Sequence, residues 1–168
     1  MLDNETAKLY VSYQRTLFIG RLGDVLKVSK APSVLLTSLY GELELTNSTG
    51  QSIAFTKSVL IPADSVLEVI TGNTLISIYF LDFIGEDVSI LSEMSTLTRL
   101  DEDNFVYVDP VVATGFIESM RHIFEHQPSA FEVFSELNTL IQPSDESAIR
   151  LYSDERVTKA VDFIRSRV

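Results

Sequence analysis

The 168-residue chain has no cysteine, no tryptophan and only two histidines. The first absence excludes disulfides, thiolate metal sites and cysteine nucleophiles, and leaves the redox compartment unread. Histidine is so scarce that residues 1–121 contain neither of the two strongest transition-metal ligand types. No apolar run approaches the roughly 20 residues that cross a bilayer as a helix. Asp3 and Glu5 precede any apolar stretch, unlike a secretory leader. The expectation is therefore a cytoplasmic protein with no membrane partner. The seven glycines are isolated, so no glycine-rich phosphate loop exists, and no Gly-x-Ser-x-Gly elbow presents a nucleophilic serine.

Apolar material is plentiful. At 45% hydrophobic and 22% charged residues the chain can build a core and is not disordered as a whole. Its charge is uneven. Residues 150–168 carry Arg150, Arg156, Lys159, Arg165 and Arg167 against Asp154, Glu155 and Asp162, a net of +2, whereas the whole chain carries −11. Residues 1–149 therefore hold −13. So acidic a body repels phosphate backbones, because nucleic-acid affinity comes largely from displaced counterions. On its own this chain is not expected to bind DNA.

Up to about residue 85 short segments rich in β-branched, aliphatic or aromatic residues alternate with turn residues such as Gly23-Asp24, Ala31-Pro32, Gly41, Asn47 to Gly50, Pro62 to Asp64 and Gly72-Asn73. Eight strands are expected: 16–19, 25–28, 33–39, 42–46, 52–55, 59–61, 65–70 and 75–83. With no helices between them they predict an antiparallel sandwich or barrel. Residues 86–109 read as an acidic, irregular connection with a short helix over 88–94. Asp109-Pro110 has the form of an N-cap and first helical residue. The helix that follows, to about Gln127, has an apolar stripe roughly 140° wide. A second, from Ser129 to Ile141, carries Phe131, Val133, Phe134, Leu137, Leu140 and Ile141 over about 180°. More apolar surface than one face needs predicts a homodimer seam through Val133, Phe134, Leu137 and Ile141. Residues 143–152 read as a linker. A third helix, with Val157, Val161, Ile164 and Val168 on one stripe, runs to the last residue, so the chain is expected to be cut within or beside a second domain.

The order of Ala31-Pro32-Ser33-Val34-Leu35-Leu36, Tyr40-Gly41-Glu42-Leu43-Glu44-Leu45, Gly50, Val59-Leu60-Ile61-Pro62-Ala63 and Tyr79-Phe80-Leu81-Asp82 resembles the cupin-like N-terminal domain of AraC-type transcription regulators. Asp154-Glu155-Arg156-Val157-Thr158-Lys159-Ala160-Val161-Asp162-Phe163-Ile164 is similar to the opening of that family's DNA-binding domain. The resemblance implies three parts. Residues 1–85 would be a cupin-like β-barrel or jelly roll, antiparallel, within an α+β chain. Residues 86–142 would hold a connecting segment and dimerising helical pair, and 143–168 a linker and the start of a helix-turn-helix domain. It implies a regulator that is no enzyme, needs no cofactor, senses a small-molecule effector or dimerises, and meets DNA only through the absent domain. Metal-binding cupins differ: Val28-Ser29-Lys30, Asp64 and Leu67 stand where their histidine and glycine positions fall. That counts against the metal-dependent oxygenase or isomerase chemistry of stand-alone cupin enzymes. The alternatives are a stand-alone metal-free cupin-like small-molecule binder, behind it a cupin enzyme, and a structural or interaction module with no ligand.

Candidate binding residues are few. Thr37, Tyr40, Ser77 and Tyr79, with Tyr13, supply polar groups to a pocket inside the barrel if the register turns them inward; a barrel filled with side chains is the competing expectation. Glu118, His122 and His126 have the spacing of a helix-face zinc site but lie opposite the apolar stripe, so a solvated face is expected. Asp101-Glu102-Asp103 lacks the spacing of a calcium loop and reads as an exposed turn.

Overall fold

Strands form where β-branched and aliphatic residues run between turn formers. The computed structural model describes residues 6–12, 15–29, 31–81, 87–110 and 113–141. In these residues the order is β1 (Lys8–Val11), β2 (Thr16–Gly20), β3 (Val25–Ser29), β4 (Val34–Ser38), β5 (Leu43–Thr46), β6 (Ser52–Thr56), β7 (Ser58–Ile61), β8 (Val66–Ile70), β9 (Ile76–Phe80), α1 (Asp87–Glu93), β10 (Thr96–Arg99), β11 (Phe105–Val108), α2 (Ala113–His126) and α3 (Ala130–Leu140). Two antiparallel sheets result. One has seven strands in the order β1-β2-β9-β4-β7-β11-β10, the other four in the order β3-β8-β5-β6. The chain is thus α+β, and among the described residues the two sheets stack without closing into a barrel.

The large sheet is covered on both faces, which explains why β4, Val-Leu-Leu-Thr-Ser, is buried at all five positions. Val34 and Leu36 pack between the sheets with Leu43, Leu45, Val59, Ile61, Val69 and Ile76. Leu35 belongs to the opposite face and packs with Leu17, Leu60, Tyr79 and the helical residues Phe116, Met120, Val133 and Leu137. The helices therefore form a third layer on the outside of the seven-stranded sheet. Gly72 and Asn73, at φ +63° and +54°, turn the chain between β8 and β9 in the left-handed region that glycine and asparagine tolerate best.

Two expectations need correction. Residues 96–108 are no irregular connection: β10 and β11 form a hairpin that extends the large sheet through β7. Thr96, Thr98, Val106 and Val108 supply the β-branched positions, while the acids gather in the turn at 101–103. Asp109 is not an extended N-cap. It stands at φ +51°, donates its N–H to the Ser58 carbonyl at 3.1 Å and accepts from Thr56 Oγ1 at 2.6 Å. The strand β1, unanticipated, pairs with β2 at the sheet edge. Among the described residues no helix is long and apolar enough to cross a membrane. Residues 142–168, with the expected linker and third helix, lie outside the described residues, as does Tyr13.

Candidate functional site

Strand register carries three of the expected binding residues to one place, under the helices and not between the sheets. Thr37 lies opposite Ser58 on one side and Ser77 on the other. The Thr37 and Ser58 hydroxyls are 2.8 Å apart. Ser77 Oγ is buried with no hydrogen-bond partner. Two residues on, Tyr79 is fully buried, with its ring 6.5 Å from that of Phe116. Its hydroxyl donates to Asp87 Oδ2 at 2.9 Å. Asp87, in the first turn of α1, also faces Arg15 at 3.4 Å, and Arg15 donates to Asn138 of α3. One polar cluster thus ties the start of β2, β9, α1 and α3 together. Burial first, then the Asp87 charge, raises the Tyr79 pKa well above the ordinary phenol value, against the opposing pull of Arg15. Between the sheets buried aliphatic side chains cluster, with Phe18 and Phe80 packed against them.

Tyr40 lies elsewhere. In the turn from β4 to β5 it is 57% exposed, and the Arg121 guanidinium sits 4.6 Å from its ring centroid. Arg121 Nε donates to the Leu39 carbonyl at 2.7 Å and its terminal nitrogen joins the same acceptor. The cation is therefore held by a ring on one side and a backbone oxygen on the other. Beside it opens a cleft of about 300 Å³ lined by Tyr40, Glu42, Lys57, Thr114, Glu118 and Arg121. An aromatic face, two carboxylates and two cations within one small concavity can orient a polar molecule that has both donors and acceptors. This cleft is the candidate site.

The remaining expected residues fall as follows. His122 and His126 are exposed, their rings stacked at 4.2 Å, with His126 Nδ1 3.1 Å from the His122 carbonyl oxygen. Glu118 lines the cleft instead. Among the described residues no three His, Cys, Asp or Glu side chains gather as a metal site would need. Asp101 is fixed by the Ser48 N–H and hydroxyl, at 3.0 and 3.1 Å. Val133, Phe134, Leu137 and Ile141 are not a surface seam: all four are buried within the single chain. The apolar stripe of α3 is spent on the large sheet and α2, and the surplus is Phe131, 82% exposed.

Arg15, Asp87 and Arg121 were not legible as interacting residues. Arg15 meets Asp87 72 residues away and Asn138 123 residues away, Arg121 meets a backbone carbonyl 82 residues away, and the nearer pair, Asp87 with Tyr79 eight residues before it, carries no sequence pattern that marks the contact. The one local signal was an acid at a helix start for Asp87. No protein-family model matches the chain, and no curated protein matches it. Among solved structures, protein NMB1881 from Neisseria meningitidis is similar over 48% of this chain and 88% of that one, at 12% identity and a TM-score of 0.37. So weak a likeness carries no argument.

Proposed function

We propose that the chain is the regulatory domain of an AraC-type bacterial transcription regulator, cytoplasmic and without catalytic activity. The observation that supports this reading is the order of parts: two stacked antiparallel sheets, then a helical pair laid on the larger one, then a basic segment whose residues resemble the start of a helix-turn-helix unit. The cupin-like description of the sheets belongs to this proposal. DNA contact falls to the unit that follows, and the domain pairs two such units and governs how they are presented. With Thr37, Ser77 and Tyr79 buried under the helices, a small-molecule effector is assigned to the Tyr40–Arg121 cleft, where the β4–β5 turn meets α2. An effector there shifts α2 against the sheet only if it binds one arrangement better than the other.

The same cleft also favours the second reading, a metal-free cupin-like binder that regulates nothing. A chimera separates them. Residues 1–168 are fused to a DNA-binding domain that represses a reporter only when paired. Regulatory pairing predicts repression; a reporter as active as with the unfused domain contradicts it.

A further inference from the structure

A groove of about 670 Å³ opens at one end of the sandwich, between the β7–β8 turn and the β10–β11 turn. Its apolar lining includes Pro62, Val66 and Phe105, of which Val66 is 61% and Phe105 40% exposed. Asp64, Glu102 and Asp103 stand along it, and none of their carboxylates meets a cation among the described residues. Asp101, the fourth acid, is already held by Ser48.

The chain itself contains a matching ligand. At helical spacing the sequence of residues 153–168 sets Val157, Val161, Ile164 and Val168 on one stripe. At about 100° per residue Arg165 falls roughly 80° to one side of Val157, and Arg156 and Arg167 about 80–100° to the other. Apolar residues flanked by cations on both sides complement an apolar floor flanked by acids.

The path is short enough. Arg15, to which Asn138 near the end of α3 is bonded, precedes Thr16 at one end of the large sheet. Thr16 is level with Phe80, Phe80 with Val34, and Val34 with Ile61, next to the groove's Pro62. Groove and anchor therefore share one end of the sheet. Between β2 and β11 lie four strand spacings, roughly 19 Å at about 4.8 Å each. The segment 142–152 can extend to about 36 Å.

We propose that residues 153–168 dock in this groove of their own chain, with Val157, Val161 and Ile164 on Val66 and Phe105 and the flanking arginines on Asp64, Glu102 and Asp103. The inference stands on charge, apolar pattern and reach, and holds whether or not a DNA-binding unit follows. The test compares the full chain with an Asp64→Asn, Glu102→Gln, Asp103→Asn variant under dilute trypsin. Cutting after Arg156, Lys159 and Arg165 is expected to speed up about fivefold in the variant, as for the loss of a few exposed ion pairs, while cutting after Arg21, in the β2–β3 connection and outside the groove, stays unchanged. High salt should bring the wild type toward the variant. A reciprocal measurement leaves the folded body untouched: in an Arg156→Gln, Arg165→Gln, Arg167→Gln variant, amide exchange over residues 62–66 and 102–105 should accelerate. Equal cutting rates with unchanged exchange overturn the proposal. So does protection that grows with protein concentration, which would give the groove to a neighbouring chain.

Discussion

Tyr79 is where one atom's chemistry bears on the stability of the whole chain. Its phenol is buried beside the Asp87 carboxylate, so the folded state holds the proton more tightly than the unfolded chain does. The stability this supplies is fully present below the unfolded tyrosine value of about 10 and is lost as pH rises past it. Denaturant midpoints should therefore fall above pH ~10 in the wild type, and fall less in Tyr79→Phe; parallel curves for the two proteins would exclude this role. At neutral pH Tyr79→Phe should cost about 1.5–3 kcal/mol, the worth of a hydrogen bond to a charged group. Two residues away the sign reverses. Ser77 Oγ has no partner, so Ser77→Ala should be neutral or stabilising by up to about 1 kcal/mol, whereas Thr37→Val, which strips Ser58 of its partner, should destabilise by about 1 kcal/mol. Chemical denaturation of the two variants decides it.

Among the elements, α3 carries the plainest prediction. Its start is fixed by a capping box: Ser129 accepts from the Glu132 N–H, and Glu132 accepts from the Ser129 N–H. Leu137, fully buried against the sheet, is core. Leu137→Ala should cost about 2–5 kcal/mol, and Leu137→Glu should unfold the chain instead of yielding a soluble monomer. A folded, monomeric Leu137→Glu protein by circular dichroism and sedimentation would restore the residue to a surface. The strands from Thr16 to Phe80 were legible because apolar runs and turn residues alternate cleanly there. The hairpin of β10 and β11 was not, because its turn is Asp-Glu-Asp, and three acids in a row masked the short β-branched runs on either side. The two faces of β4 were equally hidden: Leu35 and Leu36 are both apolar, so no alternation marks which of Thr37 and Ser38 faces the helices. For the same reason Thr37, Ser77 and Tyr79 could be grouped from sequence but not assigned to a layer, and Tyr40 gained its role only from an arginine 81 residues away.

For the molecule as a whole, charge and layering point in one direction. An acidic body of −13 is followed by a basic stretch of +2, a division that supports the proposal that the body itself makes no DNA contact. Aliphatic side chains pack between the sheets, the helices cover the large sheet, and the surface concavities include the Tyr40–Arg121 cleft, the groove beside Phe105 and a polar hollow by Asn47, Ser48 and Glu68. The most direct test of the regulatory reading is selection from random DNA duplexes, using the entire reading frame that encodes this chain and, separately, residues 1–168. The account predicts that the entire product enriches two related half-sites, spaced by about one helical turn of 10–10.5 base pairs or a multiple of it, while residues 1–168 enrich nothing. Enrichment of no sequence by the entire product, or of the same sequence by residues 1–168 alone, would contradict it.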